Sequence, residues 1–129
     1  KALDGDPERI PTQYRTKNDA GIDAKHFDLI QEAMVQAVYG TAARAVMKDI
    51  VIAGKTGTAQ NPHGEDHSVF IAFAPKDDPK IAIAVYVENA GWGGRAAAST
   101  ASLMIEKYLQ GEVKRQALQD YVLAGNFIY

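Results

Sequence analysis

Two short apolar runs separated by a turn constrain this chain more than any other feature. Residues 68–74 contain Val69, Phe70, Ile71 and Phe73 and stop at Pro75, and Lys76-Asp77-Asp78-Pro79 is turn chemistry. Residues 80–88 then resume with Ile81-Ala82-Ile83-Ala84-Val85-Tyr86-Val87. β-Branched and aromatic residues favour a pleated, half-buried surface, and so short a connection makes the two strands antiparallel neighbours. In the second run the large residues mark one face and the alanines mostly the other. Both faces are apolar, which predicts a sheet covered on both sides, with a helix lying close over the alanine face.

A third strand is expected over about residues 50–60, from an apolar entry through Gly54-Lys55-Thr56-Gly57-Thr58-Ala59-Gln60 to a break at Asn61-Pro62. Helical periodicity supplies the rest. Asp23 is an N-cap candidate for a helix over 24–39, with Phe27, Ile30, Met34, Ala37 and Val38 on one face and Gly40 able to end it in the left-handed conformation. Residues 41–48 read as a short helical turn or loop. Asn89-Ala90-Gly91-Trp92-Gly93-Gly94 connects the last strand to a helix over about 95–110, whose early Ala96, Ala97, Ala98 and Ala101 permit close approach to the sheet. Gly111 ends that helix, and a final short one is expected over about 112–124, ahead of Phe127-Ile128-Tyr129. Residues 1–22, with two prolines, two glycines and many charges, read as an irregular arm. The fold class is therefore α+β: a three-stranded antiparallel sheet flanked by helices, in one unit over 23–129.

With 129 residues, 47% of them hydrophobic, the chain can bury one core. A formal charge of −2 without runs of like charge argues against nucleic acid or an anionic membrane surface as partner. The absence of cysteine excludes disulfides and thiolate metal sites. No apolar run approaches the roughly 20 residues of a membrane helix. A start at Lys1, without methionine or a signal-like segment, suggests a piece of something longer.

Chemistry concentrates in residues 54–60. In an extended strand Thr56 and Thr58 point to one face and Lys55 to the other, while Gly57, lacking a Cβ, lets another backbone approach. Two hydroxyls, strand-edge N–H groups and a nearby ammonium suit a carboxylate or a developing oxyanion. A phosphate loop ending in Gly54-Lys55-Thr56 is the first competing reading. It needs a glycine where Asp49 stands and a helix where Asn61-Pro62 forbids one. An ordinary strand with incidental threonines is the second. His63, Glu65, Asp66 and His67 could suggest a metal site, but they fall on a polar loop expected to be flexible and solvated, so neither metal nor cofactor is expected. The glycine-rich connector, at a helix start, could bind an anion; a tight turn around a packed Trp92 is the preferred reading.

Taken together, Gly54-Lys55-Thr56-Gly57-Thr58-Ala59-Gln60, then Phe70-Ile71-Ala72-Phe73-Ala74-Pro75, then Val87-Glu88-Asn89-Ala90-Gly91 before an alanine-rich helix resemble the C-terminal part of the transpeptidase domain of class B penicillin-binding proteins, of the cell-elongation type. The resemblance covers residues 23–109. It implies a five-stranded antiparallel sheet between helical layers, of which this chain holds three strands, with the Lys-Thr-Gly strand at one edge beside the active site. It also implies acyl transfer, in which a serine attacks the D-Ala-D-Ala end of a peptidoglycan stem peptide and passes the acyl group to an amine; penicillins and other β-lactams acylate the same serine. Carried over by residue, Lys55 supplies positive charge for the substrate carboxylate and for proton transfer, the hydroxyls of Thr56 and Thr58 bind that carboxylate, the Thr58 N–H is an oxyanion donor, and Gly57 admits the acyl chain.

The nucleophile motif of that family, Ser-x-x-Lys, is absent: Ser68, Ser99 and Ser102 are followed three positions on by Ile71, Ser102 and Ile105. Ser-x-Asn is absent as well. The chain alone is therefore expected to be inactive, a fragment of a periplasmic enzyme anchored to the inner membrane through a segment outside it. A non-catalytic binding or structural module, and a fragment of a serine β-lactamase or antibiotic sensor, are the alternatives. A sheet lacking two strands would leave residues 81–88 with an unpaired edge, so the isolated fragment is expected to self-associate.

Overall fold

A computed structural model describes residue 13, residue 16 and residues 18–128. Most of the predicted irregular arm lies outside the described residues. The order is helix α1 (Ala24–Tyr39), a 3-10 turn (Ala43–Ala45), strands β1 (Ala53–Ala59), β2 (His67–Ala74) and β3 (Ile81–Val87), then helices α2 (Ala96–Gln110) and α3 (Gln116–Ala124). The strands form one antiparallel sheet in the order β1-β2-β3. All three overlap the expected ranges, although β1 begins at Ala53, three residues later than expected: Ile50 and Ile52 are buried ahead of the strand, with Val51 exposed between them.

Register decides which face is which. Opposite Cα partners share a face, and Phe70 pairs with Thr56 on one side and Val85 on the other. Thr56, Thr58, Ser68, Phe70, Ala72, Ile81, Ile83, Val85 and Val87 therefore lie on the same side of the sheet, and α2 covers it. Phe70 is wholly buried there among Ala97, Ala98, Ala101 and Ile105. This corrects the expected layering. The alanine face of β3 is not under a helix: Ala82, Ala84 and Tyr86 are exposed, and the branched side chains point at α2. The small residues that allow close packing are on the helix, so the sheet can present its bulk to it.

α1 lies against β1, capped as predicted by the Asp23 carboxylate, which accepts from the Lys25 N–H at 3.1 Å. Only its second half is buried. Val35 and Val38 enter the interior, whereas Phe27 (45% exposed) and Ile30 (58%) face solvent, contrary to the core role expected of Phe27. Gly40 does not take the left-handed conformation (φ −92°, ψ −94°); its N–H simply extends the helical pattern to the Gln36 carbonyl. Gly111 and Gly125 do end α2 and α3 left-handed, at φ 79° and 69°. α3 starts at Gln116 rather than 112. The preceding segment instead carries Arg115, whose Nε donates to the buried Glu106 carboxylate at 3.1 Å and whose Nη1 lies 3.4 Å from both the Arg44 and Val46 carbonyls.

Candidate active site

Among the described residues β1 pairs with a strand on one side only, which leaves it at the edge of the sheet. Thr56 and Thr58 project from that strand into a cavity of about 350 Å³, bounded by Gly40, Thr41, Ala43 and Arg44 on one side and by Trp92, Gly93, Gly94 and Arg95 on the other. The Thr56 hydroxyl lies 3.2 Å from that of Thr41, which places a third hydroxyl at the wall. Lys55 follows the expected alternation to the opposite face. Its ammonium turns back along the strand to donate to the Thr56 carbonyl at 2.9 Å and is not part of the cavity wall. Gly57 has only Val69 beside the position a Cβ would take.

The far wall is held by a buried serine. The Ser68 hydroxyl donates to the Trp92 carbonyl at 3.0 Å and accepts from the Ala97 N–H at 3.0 Å, binding β2 to the connector and to the first turn of α2. Gly93 consequently runs against the main chain of Gly57 and Val69, and Gly94 against the Thr41 carbonyl; a Cβ at either would strike backbone. The backbone that comes close to Gly57 is thus the chain's own connector. At the helix start the amides of Ala97 and Ala98 are not available to an anion, being taken by Ser68 and by the Gly93 carbonyl. Trp92 is not packed as expected but 72% exposed, because its carbonyl, not its ring, is what the fold uses.

Arg44 and Arg95 both line this cavity, and the guanidinium of each lies over or beside an aromatic ring. Arg44 stacks over Tyr121 at 4.3 Å, and Arg95 lies 5.6 Å from the Trp92 ring centre while its Nη1 donates to the Phe127 and Ile128 carbonyls at 3.1 and 3.4 Å. The loop with the histidines is hydrogen-bonded to itself and to Asn89, just after β3. Asp66 accepts from the Asn61 N–H, Asn61 Nδ2 donates to Asn89 Oδ1 at 2.7 Å, and His67 Nδ1 accepts from the Asn89 N–H at 3.0 Å. Among the described residues no three acidic or histidine side chains converge on a metal position.

This fold has counterparts in known proteins. Residues 6–106 match the model of the penicillin binding protein transpeptidase domain, which is most of the chain. The chain belongs to the penicillin-binding-protein transpeptidase family. Among relatives of this family, the peptidoglycan D,D-transpeptidase PbpA of Mycobacterium tuberculosis is 40% identical over 94 residues, 64% of this chain and 19% of its own. The crystal structure of Pseudomonas aeruginosa PBP2 in complex with WCK 5153 superposes with a TM-score of 0.62 at 35% identity, covering 73% of this chain and 22% of that one. The imipenem acyl-enzyme of M. tuberculosis penicillin-binding protein A gives 0.53 at 33% identity over 65% of this chain and 20% of that one. The chain spans between 12% and 20% of the length of the curated relatives it matches.

Of the residues singled out in the sequence, the structure brings Thr56 and Thr58 together in the cavity of this transpeptidase fragment, with Gly57 between them, and leaves Lys55 on the other side of the strand. Sequence reasoning missed Thr41, Arg44 and Arg95. The only local signal was for Arg95, which follows the glycine run directly; Arg44 sits in a segment without periodicity.

Proposed function

We propose that this chain supplies the carboxylate-gripping and oxyanion strand of a peptidoglycan D,D-transpeptidase that also binds β-lactams. The observation that carries the reading is a pair of hydroxyls on an edge strand, Thr56 and Thr58, opening into a cavity flanked by cations. In that reaction a serine oxygen from outside this chain attacks the penultimate D-alanine carbonyl. The peptide C–N bond breaks, the terminal D-alanine leaves with a proton, and an amine on a neighbouring stem peptide later displaces the serine. The terminal carboxylate sits on the Thr56 and Thr58 hydroxyls. The Thr58 N–H donates to the oxyanion, a contact whose loss typically costs a hundredfold or more in rate, and Lys55 serves proton transfer from its own face of β1. The parent works at the extracytoplasmic face of the inner membrane, held by a segment outside this sequence, and the isolated fragment self-associates through β3.

Mass spectrometry tests this directly. The 129-residue chain mixed with penicillin is expected to show no covalent adduct, and an acylated serine in it would overturn the assignment. In a protein carrying this sequence together with a Ser-x-x-Lys segment, acylation is expected, and replacing both Thr56 and Thr58 by valine is expected to slow it about a hundredfold or more.

A further inference from the structure

We propose that Arg95, with Arg44 on the facing wall, supplies the positive charge that receives a ligand carboxylate at Thr56 and Thr58. The inference rests on the reading above that this cavity binds the free carboxylate of a peptide ending in D-alanine, and it assigns the charge to residues other than Lys55.

Four observations converge. Arg44 and Arg95 line the same cavity as Thr56 and Thr58, whereas Lys55 is not part of its wall and its ammonium is turned onto the Thr56 carbonyl. The Ala97 and Ala98 amides at the start of α2 are already used by Ser68 and by the Gly93 carbonyl, and full counter-charge for an anion entering the cavity comes from side chains. Hydroxyls are neutral donors, and hydrogen bonds from a cation to a carboxylate are about twice as strong. Finally, both guanidiniums are held before any ligand arrives: Arg44 lies over Tyr121, and Arg95 lies beside Trp92 with Nη1 fixed on two tail carbonyls. A fork fixed in advance loses less freedom when it binds than a lysine does. Arg95 thus joins the tail at Phe127 and Ile128 to the ligand site, and Arg44 joins α3 to it through Tyr121.

A purely structural role for these arginines would leave the preference for a charged ligand end untouched, and this separates the two cases. The isotope-labelled 129-residue chain is titrated with N-acetyl-D-alanyl-D-alanine and with its C-terminal amide, following the Thr56, Gly57 and Thr58 amides by NMR. The wild-type chain is expected to favour the acid, and Arg95→Gln and Arg44→Gln are each expected to weaken acid binding about tenfold while changing amide binding little. Arg95→Lys recovers part of the preference, and Lys80→Gln, far from the cavity, leaves it unchanged. Should Arg95→Gln disturb the tail, Arg44→Gln, in the 3-10 turn and without a contact to the tail carbonyls, still reports. An acid-to-amide preference identical in wild type and both glutamine variants overturns the inference and leaves the carboxylate site standing. No response of Thr56 and Thr58 to either peptide overturns both.

Discussion

Ser68 holds three segments on one buried oxygen; its removal leaves the Ala97 N–H unsatisfied and takes from the Trp92 carbonyl one of its two donors, the Arg95 N–H remaining. Ser68→Ala is expected to cost about 2 kcal/mol, measured as the shift in the urea midpoint at constant slope. Gly54 is constrained by bulk instead. A Cβ there would lie 2.5 Å from Phe70 Cζ and 3.0 Å from the Ile71 carbonyl, so Gly54→Ala is expected to destabilise by about 1–3 kcal/mol in the same assay. At this scale the sequence was most informative where chemistry is local. The facing of Thr56 and Thr58 follows from strand alternation alone, and the register confirms it. Arg44 and Arg95 were illegible for the opposite reason: they line one cavity only because the connector folds back over β1, an event with no period in the sequence. Trp92 was misread because a large aromatic is normally buried, while here the buried groups of that turn are polar main chain.

Elements were legible in type but not always in what they cover. The apolar stripe of α1 marks a helix correctly, yet it cannot tell which half meets the sheet; Val35 and Val38 do, Phe27 and Ile30 do not. In β3 the alternation of large and small was read correctly and its sense was inverted, because the small partners had already been placed in α2. α3 owes its position to Glu106, whose side chain is only 4% exposed, paired with the quarter-exposed Arg115. Arg115→Met leaves that carboxylate buried without its cation. The variant is expected to lose about 3 kcal/mol, seen in thermal denaturation, and α3 amides are expected to exchange faster in hydrogen-exchange experiments. Since Arg115 also reaches the Arg44 carbonyl and Tyr121 lies under the Arg44 guanidinium, the same variant should loosen one wall of the cavity.

Across the whole molecule, the sheet is asymmetric. β1 and β3 each have one neighbour among the described residues, and the exposed face of β3 carries Ala82, Ala84 and Tyr86 while Phe27 and Ile30 stand uncovered on α1. Strand edges of this kind pair with whatever presents a complementary edge. Sedimentation at tens of micromolar is expected to show a dimer or higher species, and Ala84→Lys, which puts a charge on the exposed face of β3, is expected to shift it toward monomer. A sample that is monomeric throughout would remove self-association from the proposal. The jammed passage of Gly93 and Gly94 across the strand backbone bears on ancestry rather than on assembly. A lineage pressed to reshape this pocket is free to vary Trp92, whose ring stands in water, but is barred from adding any side chain at the two glycines, where a wedge would pry the helix from the sheet. Divergence here is channelled through the rim while the floor stays frozen.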